Sequence, residues 1–199
     1  MMTGNGHYVV GLTGASGALY GVRLVETLLD MGHVVHLVVS QAGWRVLKEE
    51  LEWPVSDRAG CLERLSAGRP GELRHYPVQD IGAAIASGSF RVKAMIVMPC
   101  SMGTLSAIAH GSSDNLMTRA ADVMMKEGRP LILVPRETPL HAIHLENMLK
   151  LSRLGVKMIP AMPAFYYGPR SMDDLIAFMV GKVLDSLELE HSLFRRWGE

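Results

Sequence analysis

Gly14-Ala15-Ser16-Gly17-Ala18, Met98-Pro99-Cys100-Ser101-Met102-Gly103-Thr104 and Val134-Pro135-Arg136-Glu137-Thr138-Pro139 each follow a short apolar run with small, hydroxylated or charged residues. Small residues let the main chain approach a ligand, and amides and hydroxyls at a helix start donate hydrogen bonds to an anion. Arg136 adds a fixed cation on a loop stiffened by prolines. The chemistry on offer is recognition of a phosphate-bearing ligand. A tight turn with a capping serine is the plainer alternative for the first two segments and stays open here. For the third, the alternative is a solvated Arg136–Glu137 pair.

Spacing excludes several other anion sites. Gly11, Gly14 and Gly17 fall as GxxGxxG rather than GxGxxG, and the second apolar run ends at Ser40 where an acidic partner for a ribose hydroxyl would stand, which disfavours NAD. Ala18 occupies the position where GxSxG needs glycine, and the Walker lysine is missing. Arg119 and Lys126, seven residues apart, share a helical face. With Arg136 they compose a cationic cup around Glu137, suited to a phosphate ester leaving group. Solvation of a helix surface is the alternative for either residue alone. The loop from Pro160 to Pro169 can wall an apolar pocket while Tyr166 bonds a phosphate, or can simply pack. His141, His144 and Glu146 lack the HExxH pattern and a third ligand, so no metal site is expected. The 14 methionines read as core filler.

These residues must be held by something, and the apolar pattern says what. Valine- and isoleucine-rich runs at Tyr8 to Thr13, Val34 to Val39, Ala94 to Met98, Leu131 to Val134 and Val156 to Ile159 predict buried parallel strands. Helical periods cover Leu19 to Leu29, Gln41 to Leu51, Ser101 to Ala109, Met117 to Lys126, His141 to Leu154 and Met172 to Leu187. Residues 54–77 mix Gly, Pro and charge and are expected to be a loop with at most one short helix, placed to act as a lid. The result is an α/β fold, a single Rossmann-like three-layer domain over residues 1–199 with a parallel sheet. Ligands in such domains sit beyond the carboxyl ends of the strands, which is where the three segments fall.

Bulk properties narrow the partners. Lys and Arg number 20 and so do Asp and Glu, so no net field recruits nucleic acid or an anionic membrane. Two cysteines without CxxC spacing encode neither a disulfide framework nor a zinc site. With no leader and no apolar run of bilayer length, a cytoplasmic protein is expected.

Read in order, Gly14-Ala15-Ser16-Gly17-Ala18, Pro99-Cys100-Ser101-Met102-Gly103-Thr104-Leu105-Ser106, Arg119-Ala120-Ala121-Asp122, Lys126-Glu127-Gly128-Arg129-Pro130-Leu131, Val134 to Leu140, His144 to Leu149 and Pro163-Ala164-Phe165-Tyr166 resemble the UbiX-type flavin prenyltransferases. The similarity runs to Arg196-Trp197. It implies a flavodoxin-like domain assembled as a dodecamer of trimers with sites between subunits. It implies that FMN contacts Gly14, Ala15, Ser16, Ser40, Ser101, Met102, Gly103, Thr104 and Arg136. Dimethylallyl phosphate would meet Tyr166, Lys182, Lys126, Arg119 and Glu137. The implied reaction is metal-independent and joins the prenyl group to reduced FMN at N5 and C6, the product serving UbiD-type decarboxylases. Glu137 would assist proton transfer to the phosphate, Ser16 would shuttle a proton near N5 and Trp197 would shield the prenyl cation. Two readings compete: an FMN-dependent cysteine-type decarboxylase, for which a PASANT-like segment is lacking, and a non-catalytic flavin-delivery protein, which would leave Lys126, Arg136 and Glu137 without a task.

Overall fold

The computed structural model describes residues 6–198. Within them β1 (His7–Leu12), β2 (Val34–Val39), β3 (Glu72–Pro77), β4 (Ala94–Cys100), β5 (Leu131–Pro135) and β6 (Lys157–Met158) form one sheet in the order β3-β2-β1-β4-β5-β6, every pair parallel. The helices are α1 (Ala18–Asp30), α2 (Gln41–Leu51), α3 (Arg58–Ser66), α4 (Met102–Ala109), α5 (Leu116–Lys126), α6 (Ala142–Arg153) and α7 (Met172–Ser186). The α1, α2, α3 and α7 side chains pack one face, through residues such as Leu24, Trp44, Cys61 and Ile176. The α4, α5 and α6 side chains pack the other, through Leu105, Met117, Met124 and Leu151. This is the expected three-layer domain. Its five anticipated strands run in flavodoxin order, with β3 added at the edge.

That edge strand corrects the reading of residues 54–77 as a loop. Val34 to Val39 pair one-to-one with Glu72 to Pro77, and α3 buries Cys61 and Leu65. Glu72, Arg74 and Pro77 are exposed, as an edge strand allows, so the segment carries no continuous apolar run that would betray it. Residues 58–77 are therefore built into the domain and do not form a lid.

Apart from His7, the central strands are buried throughout, and Leu24, Leu28 and Leu29 of α1 are wholly enclosed. Each such leucine contributes roughly 1.5–3 kcal/mol of apolar burial. Among these apolar side chains lies one polar chain: His7 Nδ1 meets His36 Nε2 at 2.9 Å, and His36 Nδ1 meets the Tyr76 hydroxyl at 3.0 Å. Burial, then the nearby charges of His7 and Arg74, push the His36 imidazole down to about 4. An unfolded histidine takes up its proton near pH 6.5, whereas folded His36 refuses it until about 4. Stability from this group is complete above pH 6.5 and is lost as pH falls toward 4, by about 3 kcal/mol in all. Melting curves from pH 7.5 to 4.5 should show that decline, and His36→Gln should flatten it. An equal slope in wild type and variant would remove the assignment.

Candidate active site

The carboxyl ends of β1, β2, β4 and β5 are stitched together by their own backbone. Thr13, 2% exposed, donates its hydroxyl to Pro99 O at 2.7 Å and accepts from Ser101 N at 2.7 Å, locking the β1 turn to the β4 turn. Ser40 N donates to Leu12 O and Arg136 N to Cys100 O. Gly14 lies so close to α2 that an added Cβ would stand 2.4 Å from Ala42 Cβ. Gly14, Ser16 and Gly103 are exposed, Ser101, Thr104 and Ser40 are half-buried, and Ala15 is buried. Together they line one rim of small and hydroxylated residues. Met102 is buried in the core and can serve a ligand there only through its main chain.

The capping alternative holds for Ser101 but not for Ser16, since Gly17 stands at the start of α1 and brings no capping side chain; Ser40 also proves to be a cap. Ser40 Oγ accepts from Gly43 N at 2.9 Å at the start of α2. Ser101 Oγ accepts from Thr104 N at 3.3 Å and donates to Thr104 Oγ1 at 3.1 Å. Capping does not consume these hydroxyls, since each has a further lone pair or proton. The start of α1 corrects the expectation of an open anion cradle: Gly17 N and Ala18 N both donate to the Glu50 carboxylate at 2.9 Å. That carboxylate already answers the positive end of the helix. Gly14, Ala15 and Ser16 remain the residues of this turn that could meet an anion. Neither Glu50, one of several charges at residues 48–52, nor Thr13, at the end of an apolar run, carries a motif that marks it in the sequence.

Arg136 is half-buried, and its Nε is enclosed without a hydrogen-bond partner. Enclosed guanidinium donors are costly when unmet, so this atom marks a place where an anion fits. The alternative of a solvated Arg136–Glu137 pair is not met: no ion pair joins the two among the described residues. Glu137 is exposed and its carboxylate accepts from Thr138 N at 3.0 Å. Buried Cys100, whose thiol burial pushes up to about 12, is unsuited to act as a thiolate at neutral pH.

The remaining cations divide into two groups. On α5, Arg119 pairs with Asp122 at 3.0 Å and donates to Ala86 O at 3.2 Å. Lys126 pairs with Glu127, and an added Cβ on Gly88 would stand 2.8 Å from its Nζ. Arg129 donates to Gly88 O and Phe90 O. Arg119, Lys126 and Arg129 thus gather around residues 86–90. On the opposite face, Tyr166 meets Trp197 edge-on at 5.2 Å and Phe178 at 6.0 Å. Lys182 of α7 pairs with Asp185 at 3.2 Å. The expectation that Arg119, Lys126, Arg136 and Lys182 share one cup therefore fails within a single chain. The helices α5 and α7 cover different faces of the sheet, and Arg119, Lys126 and Lys182 each have a carboxylate partner.

Among the described residues no cluster of three His, Cys, Asp or Glu side chains can hold a metal ion, and no helix is long and apolar enough to cross a membrane. His141 and His144 stack ring on ring at 3.5 Å.

The chain matches the flavoprotein family over residues 1–184. It is 57% identical to the flavin prenyltransferase UbiX of Alkalihalophilus pseudofirmus over 190 residues, 96% of this chain and 95% of that one. A UbiX solved in complex with FMN and dimethylallyl pyrophosphate superposes with a TM-score of 0.89 at 40% identity, covering 98% of each chain. A dodecameric FMN-dependent UbiX-like decarboxylase from Escherichia coli O157:H7 superposes with a TM-score of 0.88 at 46% identity, covering 97% of this chain and 100% of that one. Likeness of this extent, in sequence and in backbone, means that the chain belongs to the UbiX-type flavin prenyltransferases of the flavoprotein family.

Proposed function

We propose that this protein transfers a dimethylallyl group from dimethylallyl phosphate to N5 and C6 of reduced FMN, making prenylated FMN for a UbiD-type decarboxylase. The observation that carries the reading is the rim of small residues at the joined strand ends, closed by an Arg136 guanidinium with an enclosed, unmet donor. Gly14, Ala15, Ser16, Ser40, Ser101, Met102, Gly103, Thr104 and Arg136 hold the FMN. Reduced FMN supplies the electron-rich ring that accepts the prenyl carbons. Arg119, Lys126 and Lys182 hold the phosphate of the other substrate, where fixed cations take up the charge left as the allylic C–O bond breaks and its electrons pass to oxygen. Tyr166 orients that phosphate, Glu137 delivers a proton to it, Ser16 moves a proton near the flavin ring and Trp197 covers the apolar side.

The α5 and α7 groups lie on opposite faces of one chain, so their convergence requires a second copy. A dodecamer with sites between subunits supplies one, as the dodecameric relative supports. We place the protein in the cytoplasm, where its two unpaired thiols, Cys61 and Cys100, stay reduced.

Anaerobic incubation with reduced FMN and dimethylallyl phosphate, followed by mass measurement of the extracted flavin, tests this. A gain of one five-carbon unit is expected. Unaltered flavin would overturn the proposal, and turnover of an aromatic or cysteinyl acid by the protein alone would favour a decarboxylase in its place.

A further inference from the structure

Residues 189–198 form neither helix nor strand, yet they are held against α7, and their charged contacts with it converge on Asp185. Asp185 Oδ1 accepts from Arg196 Nη2 at 2.8 Å and from His191 Nε2 at 3.1 Å, while Oδ2 accepts from Lys182 Nζ at 3.2 Å. His191 Nδ1 accepts from Leu193 N at 3.2 Å, which leaves the ring proton on Nε2, facing Asp185. The His191 side chain is 2% exposed. Burial pushes the Asp185 carboxyl up, but the bonds from Arg196, Lys182 and His191 outweigh it and hold the group below the usual range.

Packing agrees with the charges. Phe194 lies flush on Gly181, where an added Cβ would stand 2.5 Å from Phe194 Cε1 and 2.8 Å from His191 Cε1. A lone exposed ion pair contributes little, so three donors converging on one half-buried carboxylate, two of them from the tail, exceed what a solvated helix face requires. Trp197 of the tail stands beside Tyr166, and Lys182 belongs to the same Asp185 carboxylate that holds the tail.

We propose that Asp185 is a positioning residue that clamps the tail, so that Trp197 stands against Tyr166 with the Lys182 ammonium fixed nearby. A substrate carrying both a phosphate and an apolar allyl group then meets its cation and its wall already arranged, at less cost in ordering. The inference rests on the assignment of Lys182, Tyr166 and Trp197 to dimethylallyl phosphate.

Two variants release the clamp differently. Asp185→Asn removes the charge, and Gly181→Ala displaces Phe194 while improving helix propensity. Each should raise KM for dimethylallyl phosphate about tenfold and lower kcat as well, because Lys182 and Trp197 also serve the bond-breaking step, while the FMN Kd stays within about threefold of wild type. Trypsin cleavage after the exposed Arg195, followed by mass spectrometry, should accelerate about tenfold in both. Unchanged KM and unchanged cleavage would overturn the proposal, as would a parallel rise in KM and FMN Kd. A wild type that makes no prenylated flavin would count against the assigned activity instead, and the cleavage rates would still decide whether Asp185 clamps the tail.

Discussion

Replacing Arg136 with alanine is expected to weaken FMN binding about 100-fold, close to 3 kcal/mol, and to abolish product formation at micromolar flavin. The residue leaves the end of β5 with its backbone N–H already given to Cys100 O, so its position beside the β4 turn is set by the sheet. Its Nε is enclosed and unmet by the protein. A phosphate oxygen there would gain a charge-assisted hydrogen bond without first breaking another. Arg136→Lys keeps the charge but loses the planar fork, and should recover only about tenfold of the loss. Flavin fluorescence titration measures both. If Arg136→Ala binds FMN within about threefold of wild type, the guanidinium is not part of the flavin site.

Gly21→Ala is expected to cost about 3 kcal/mol of stability, a fall in Tm of roughly 10 °C. The added Cβ would stand 2.1 Å from Met98 O and 3.0 Å from Leu12 Cγ. The carbonyl belongs to the central strand β4 and cannot yield, so α1 would have to lift from the sheet. Alanine's better helix propensity returns only about 1 kcal/mol. Because α1 follows directly from the Gly14 to Gly17 turn, lifting it should also weaken FMN binding. Gly103→Ala is the control: nothing lies within 4 Å of its added Cβ, and its stability should change by less than about 0.5 kcal/mol. Thermal melting of the two variants in parallel decides the point, and a Gly21→Ala protein as stable as wild type would show that α1 has room to move.

The buried strands and the turns after them were legible because a parallel sheet covered on both faces needs unbroken apolar runs, and each run must stop where the chain leaves the core. Ser16, Ser40, Ser101, Thr104 and Arg136 all stand just beyond such a stop. Strand β3 was not legible. As an edge strand it leaves Glu72, Arg74 and Pro77 exposed, and its polar, proline-ended pattern matches that of a turn. Glu50, Thr13 and Asp185 were missed for another reason. Each acts through partners distant in the chain or ordinary in type, such as Glu50 reaching the amides of Gly17 and Ala18 from the far end of α2.

The order of apolar runs and small-residue breaks, by itself, determined the α/β class and which strand ends carry the candidate site. Only the tertiary structure decided on which face of the sheet each helix lies, and so that Arg119 and Lys126 stand apart from Lys182 within one chain. Periodicity records that a helix has a buried side, but not which side of the sheet receives it, because either face offers the same apolar surface.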